Sequence, residues 1–169
     1  AGSATHSAIA MIQSYMPHAT LKPHRLAAGQ TVGLIAPASA PAEPDTVRFA
    51  ADIIRSFGLH VRMGAHVFDR NGYLAGTDAD RAADLNGMFA DESVDAVFCL
   101  RGGYGASRLL PMLDFDVIRA NPKPLIGYSD ITALHMAIQA RTGLITFHGP
   151  IAAQTFTPYT LAEFKRVLF

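Results

Sequence analysis

Residues 123–143 read "KPLIGYSDITALHMAIQARTG". A short apolar run leads into Gly127-Tyr128-Ser129-Asp130, and an amphipathic pattern follows at once. Ile131, Leu134 and Ile138 recur at spacings of three and four up to Gly143. That spacing predicts a helix over 130–141, and the run 124–128 before it predicts a buried strand. Ser129 stands at the junction and has two readings. Ser and Asp are frequent helix caps, because their side-chain oxygens accept orphan backbone N–H groups. The other reading is a nucleophile elbow. There a tight turn exposes the hydroxyl at the carboxyl end of a strand, and the next N–H is free to bind an oxyanion. Gly127, two residues earlier, suits the turn. Ile131 stands where the familiar elbow has a second glycine.

Working outward, the same strand-then-helix alternation continues in both directions. "TVGLIAPAS" (31–39) predicts a strand, and residues 44–58 predict a helix with Val47, Ala50, Ala51, Ile54 and Phe57 inward. "HVRMGAHVF" (60–68) predicts a strand. The helix over 77–91 is capped by Thr77 or Asp78 and faces inward with Ala82, Leu85, Met88 and Phe89. Asp80, Arg81 and Asp84 then read as its solvated face. "VDAVFCL" (94–100) predicts a strand, followed by the loop "RGGYGAS" (101–107) and a helical piece near 114–120. A last strand is expected over 144–150, and "TLAEFKRVLF" reads as a helix reaching the chain end without a cap.

Apolar strands alternating with amphipathic helices imply an α/β fold, a parallel sheet covered by helices on both faces in three layers. Ligands bind such sheets at the carboxyl ends of the strands. Those ends carry Pro37-Ala38-Ser39, Arg101-Gly102-Gly103, Ser129-Asp130 and His148-Gly149-Pro150. Residues 1–28 lack periodicity and read as an N-terminal extension, which leaves 29–169 as one domain.

Half of the 169 residues are hydrophobic and 17% are charged, enough apolar material for a single core. Lys plus Arg and Asp plus Glu each number 14, so the balance gives no reason to expect nucleic acid or an anionic membrane as partner. No apolar run reaches the length of a membrane span. Cys99 is the single cysteine, inside an apolar run, and reads as a buried structural thiol. The N-terminal stretch has no basic leader or long apolar core. These features suit a cytoplasmic, reducing location.

"RGGYG" matches no nucleotide motif. Arg108 stands where G-x-G-x-x-G needs its last glycine, and the loop follows the third strand rather than the first. The loop is either a tight turn or a source of backbone N–H donors for a ligand oxygen. His135 lies six residues past Ser129, off the serine's side of the helix, and reads as a solvated or packed histidine. His148, at a neighbouring strand end, lines the site or structures its loop. No His/Asp/Glu set has helical metal-ligand spacing, so neither metal nor cofactor is expected.

"LIAPAS", "GYLAGTDADRAADLN", "RGGYG", "IGYSDITALH" and "FHGP" occur in this order. Together they resemble the LD-carboxypeptidases, serine peptidases that also include the microcin-type self-immunity enzymes. The resemblance covers roughly residues 29–155 and implies a Rossmann-like N-terminal domain, a C-terminal domain and a Ser–His–Glu triad. It maps the nucleophile onto Ser129. It maps the oxyanion donors onto Gly102 or Gly103 and the Asp130 N–H, with Arg101, Tyr104, Tyr128 and His148 as substrate-binding candidates. The implied reaction releases D-alanine from a murein tetrapeptide without a metal. Family members are about twice as long, so the resemblance implies that the triad His and Glu lie in a C-terminal domain beyond Phe169. That absent domain is an expected partner, and a homodimer of this half is plausible on the same ground. A non-catalytic module binding a small peptide or sugar is the competing expectation, and a nucleotide-binding domain is disfavoured by the failed glycine pattern.

Overall fold

A computed structural model describes residues 18–169; residues 1–17, most of the expected extension, lie outside it. Five strands form one parallel sheet: β1 (Thr31–Ile35), β2 (His60–Met63), β3 (Ala96–Cys99), β4 (Leu125–Gly127) and β5 (Phe147–His148). Their order is β2-β1-β3-β4-β5. The helices are α1 (Pro44–Ser56), α2 (Asp78–Ala90), α3 (Phe115–Ala120), α4 (Thr132–Thr142) and α5 (Pro158–Leu168), with short 3₁₀ turns at Ala106–Met112 and Ser129–Ile131.

Strand alternation sorts the core into two slabs. Val32, Leu34, Ala96, Phe98 and Ile126 face α1 and α5. Ile35, Val97, Cys99 and Leu125 face α2, α3 and α4. The three layers expected from the sequence are therefore present. All the helix residues expected inward are buried. Phe164 of α5 stacks on Phe98 at 5.7 Å and packs against Phe57 at 5.3 Å. Burial of one such ring contributes on the order of 1.5–3 kcal/mol.

The strands are shorter than the apolar runs that announce them. β1 stops at Ile35, and Ala36-Pro37-Ala38 leave the sheet while staying buried, since Pro37 has no N–H to give; the Ala38 carbonyl instead accepts the Ala75 N–H at 3.1 Å. β2 stops at Met63 because Gly64 lies against the Asp84 carboxylate, where a Cβ would come within 2.3 Å. The Asp84 oxygen accepts the His66 N–H at 3.1 Å and holds the turn that follows. The run 144–150 pairs only at Phe147–His148, while Leu144 bridges to Leu21. Residues 21–28 lie along the domain: Leu21 bonds Gly143 and Ile145, and the Leu26 N–H meets the Leu168 carbonyl. α5 is capped by Thr157, whose hydroxyl accepts the Thr160 N–H.

The strand order reverses direction between β1 and β3. The loops leaving those two strands meet at the carboxyl edge, the usual ligand position in such sheets, where the Ser39 N–H donates to the Gly102 carbonyl at 3.4 Å.

Candidate active site

Ser129 follows β4 with φ 64°, the one non-glycine residue with positive φ among the described residues. An L-residue in this left-handed region costs about 1–2 kcal/mol. Residues held there cluster where geometry serves function. The conformation lifts the side chain off the strand end, and Ser129 is exposed. Asp130 and Ile131 continue as a 3₁₀ turn into α4, so the helix start and the turn at Ser129 are one unit.

Gly102 faces this turn. A Cβ on it would lie 2.9 Å from the Tyr128 carbonyl oxygen, 3.1 Å from Ser129 Cβ and 3.2 Å from the Asp130 nitrogen. Only a glycine lets the two backbones approach so closely. Gly103 has φ 118°, and a Cβ there would meet Ser39 Oγ at 2.1 Å. Neither the Gly103 nor the Asp130 N–H donates to a protein acceptor among the described residues. The arrangement thus sets a strained hydroxyl beside a glycine loop with unused donors, which is what acyl transfer through an oxyanion requires.

The loop is tied at several points. Ser39 Oγ accepts the Tyr104 N–H at 3.2 Å, and Asp130 Oδ2 accepts the Ala106 N–H at 2.8 Å. Arg101 is half-buried and reaches the Ala40 carbonyl at 3.4 Å, on the loop after β1. Tyr104 is 58% exposed beside Tyr73, their ring centroids 5.9 Å apart. Tyr128 and His148 meet edge-on at 6.0 Å, and His148 pairs in register with Gly127. Ser129, Gly102, Gly103 and Asp130 therefore converge, with Tyr128 and His148 adjoining them. Arg101 and Tyr104 extend the same edge toward β1.

His135 is packed rather than solvated. Its Nε2 donates to the Gly127 carbonyl at 2.9 Å, which leaves Nδ1 as a bare, buried acceptor without a partner among the described residues. Burial holds its pKa below the ordinary value, against the hydrogen bond to Gly127 and with help from nearby His148. Cys99 is fully buried and burial pushes its thiol far up, so it stays protonated and inert.

The face of α2 read as solvated needs correction. Arg81 is 1% exposed and Asp84 is 8% exposed. Arg81 Nη1 donates to the carbonyls of Pro37 at 2.7 Å and Gly105 at 3.0 Å, and Nη2 pairs with Asp78. Asp78 also binds Arg108 through both oxygens at 2.9 Å, and that guanidinium draws its carboxyl below the ordinary range. Asp80 closes a capping box with Thr77. The spacing 81, 84, 85, 88 puts Arg81 and Asp84 on the apolar stripe, and that signal was available in the sequence. Ser39 carried no signal beyond its place at a strand end. His66, Asp69 and Asp80 bring ligand atoms within 4.8 Å of one another, a grouping that helical spacing did not reveal. Asp69 bonds His66 and Asp80 caps α2, so these polar groups already have protein partners.

Residues 32–149 match the sequence model of the LD-carboxypeptidase N-terminal domain. The chain is 46% identical over 151 residues to the Bacillus subtilis protein named "Probable murein peptide carboxypeptidase", covering 86% of this chain and 47% of that one. It is 46% identical over 122 residues to the murein tetrapeptide carboxypeptidase of Pseudomonas aeruginosa, covering 72% of this chain and 39% of that one. Among solved structures, the MccF-like protein from Bacillus anthracis superposes with a TM-score of 0.83 at 33% identity, over 88% of this chain and 47% of that one. The chain spans less than half the length of the curated relatives it matches.

Proposed function

The chain belongs to the LD-carboxypeptidase family, and from that premise we propose that it carries the nucleophile and oxyanion site of a serine peptidase acting on murein peptides. The observation that carries the reading is the left-handed backbone of Ser129 beside Gly102. The Ser129 hydroxyl attacks the carbonyl of the bond joining an L-residue to a terminal D-alanine. The developing oxyanion is met by the N–H of Asp130 and of Gly102 or Gly103. D-alanine leaves, and water then releases the acyl group from Ser129. Arg101, Tyr104, Tyr128 and His148 contact the peptide.

A serine hydroxyl needs a base. His135 is turned to Gly127 and buried, and His148 packs against Tyr128. The family resemblance implies that the base and its acidic partner lie in a further domain, and on that ground the 169-residue chain alone is proposed to be inactive. The family resemblance implies that the whole reaction sits in cytoplasmic recycling of peptidoglycan. Likeness to the microcin C7 self-immunity protein MccF favours a second reading, a self-immunity peptidase of the same family.

The test is release of D-alanine from a murein tetrapeptide by the full-length protein. Ser129→Ala is expected to lower kcat on the order of 10⁶-fold. Turnover within tenfold of wild type would remove Ser129 from the mechanism. Stoichiometric peptide binding without Ser129-dependent turnover would make the domain a binding module.

A further inference from the structure

We propose that Arg81 is a positioning residue for the oxyanion loop, acting through the backbone of residues 102–105; the inference rests on the reading of Ser129 as nucleophile. A single nitrogen, Nη1, holds the carbonyls of Pro37 and Gly105. Pro37 lies two residues before Ser39, and Gly105 lies two residues after Gly103. Arg81 therefore ties together the loops that leave β1 and β3. Ser39 joins the same two loops through the Tyr104 N–H. Asp130 ties the far end of the glycine loop to the nucleophile turn through the Ala106 N–H. The donors beside Ser129 are thus located by three contacts from three separate elements.

The fit at Arg81 is built for approach. Gly105 has φ 109°, and a Cβ on it would come within 3.2 Å of Arg81 Nη1 and 2.5 Å of Leu74. The guanidinium is charge-balanced by Asp78, which Arg108 of the same loop segment holds from outside. Arg81 Nε meanwhile lacks a protein acceptor among the described residues. A buried donor left unpaired is a cost that folded proteins seldom keep. Departures from local satisfaction concentrate at functional sites. A buried guanidinium needs acceptors, and the carbonyls that Arg81 uses come from the two loops that carry Ser39 and Gly103.

Lysine at this position keeps the charge but loses the planar fork, so it cannot hold both carbonyls and Asp78 in the same geometry. The experiment compares wild type, Arg81→Lys and Ser129→Ala in the full-length protein. The readouts are kcat and KM on murein tetrapeptide, thermal midpoint, and affinity for a peptide boronate whose boron occupies the carbonyl carbon position. Misplaced oxyanion donors are expected to lower kcat roughly 10²-fold with KM unchanged. Boronate affinity is expected to fall by the same factor, because the tetrahedral adduct uses the same donors. A kcat and boronate affinity within twofold of wild type, whatever the thermal midpoint, overturn the inference. So does a KM that rises with kcat intact. If Arg81→Lys does not fold, Asp78→Asn removes the counter-charge at constant shape and is expected to give the same pattern at smaller size; wild-type kcat and boronate affinity there also overturn it. A wild type whose turnover does not depend on Ser129 fails differently, since it removes the reading of the site itself.

Discussion

Replacing Ser129 by glycine and by alanine separates the strain of the nucleophile turn from its chemistry. Both changes remove the hydroxyl. Ser129 is exposed, so neither deletes core packing. They differ in what the backbone asks of them. At φ 64° an L-residue places its Cβ against the following carbonyl, whereas glycine has none to place. The left-handed penalty of about 1–2 kcal/mol is offset in part by the extra freedom glycine brings to the unfolded chain, about 0.5–1 kcal/mol. The glycine chain is therefore expected to be more stable than the alanine chain by up to about 1 kcal/mol. In a domain of this size that is roughly 2–4 °C in thermal midpoint. Urea denaturation of the 169-residue chain measures the difference without any need for activity. The expected order is glycine above alanine, with serine close to alanine. An alanine chain as stable as the glycine chain refutes the left-handed turn, and the elbow with it.

Gly102→Ala would place a methyl 2.9–3.2 Å from three atoms of the nucleophile turn, against ordinary contacts of 3.4 Å or more. It is expected to lower kcat of the full-length protein roughly 10²-fold while the fold survives. Gly103→Ala adds a strained φ to a clash with Ser39, so it is expected to lower the thermal midpoint as well; unchanged kcat in both reduces "RGGYG" to a turn. Burial depresses the pKa of His135 from 6.5, so as pH falls the unfolded chain takes up this proton first. Stability from neutral His135 is complete above about pH 6.5 and is lost as pH falls through the depressed folded value. His66, raised chiefly by Asp69, works in the opposite sense, losing its contribution as pH rises, and it is common to wild type and variant. Melting midpoints between pH 7 and pH 5 are expected to fall less for His135→Gln than for wild type, and equal falls refute the assignment.

The layers of this fold were legible because they follow from period and composition. Val47, Ala50, Ala51 and Ile54 recur at helical spacing, and the apolar runs between helices have the length of buried strands. Where those runs end was not legible. Ala36-Pro37-Ala38 and residues 64–68 are as apolar as the strands before them, yet they leave the ladder to serve Arg81 and Asp84. Burial of a charged side chain depends on partners supplied by distant loops, and no local window contains them. Arg81 meets a carbonyl 44 residues earlier and another 24 residues later. A window over α2 alone puts Arg81 on the buried stripe but holds none of the carbonyls that let a guanidinium sit there.

The same logic explains why glycines mark the candidate site in the sequence better than any charged residue does. The donors placed beside Ser129 are backbone N–H groups, which every non-proline residue possesses and no side chain announces. Such a group becomes visible in sequence only where its approach demands the absence of a Cβ. Gly102 faces the turn of Ser129 across less than an ordinary contact, Gly103 faces Ser39, and Gly105 faces Arg81 and Leu74. Each missing side chain is occupied by an atom from a different element. The spacing of "RGGYG" therefore encodes three simultaneous close approaches, and a turn alone would need only a positive φ at one position. Ser129 keeps its strained conformation because these neighbours, together with the Asp130–Ala106 tie, leave the turn little room to relax. A loop that merely reversed the chain would gain stability by releasing that strain, which a glycine at this position would do, and a strained serine there is accounted for by the proposed use of its hydroxyl.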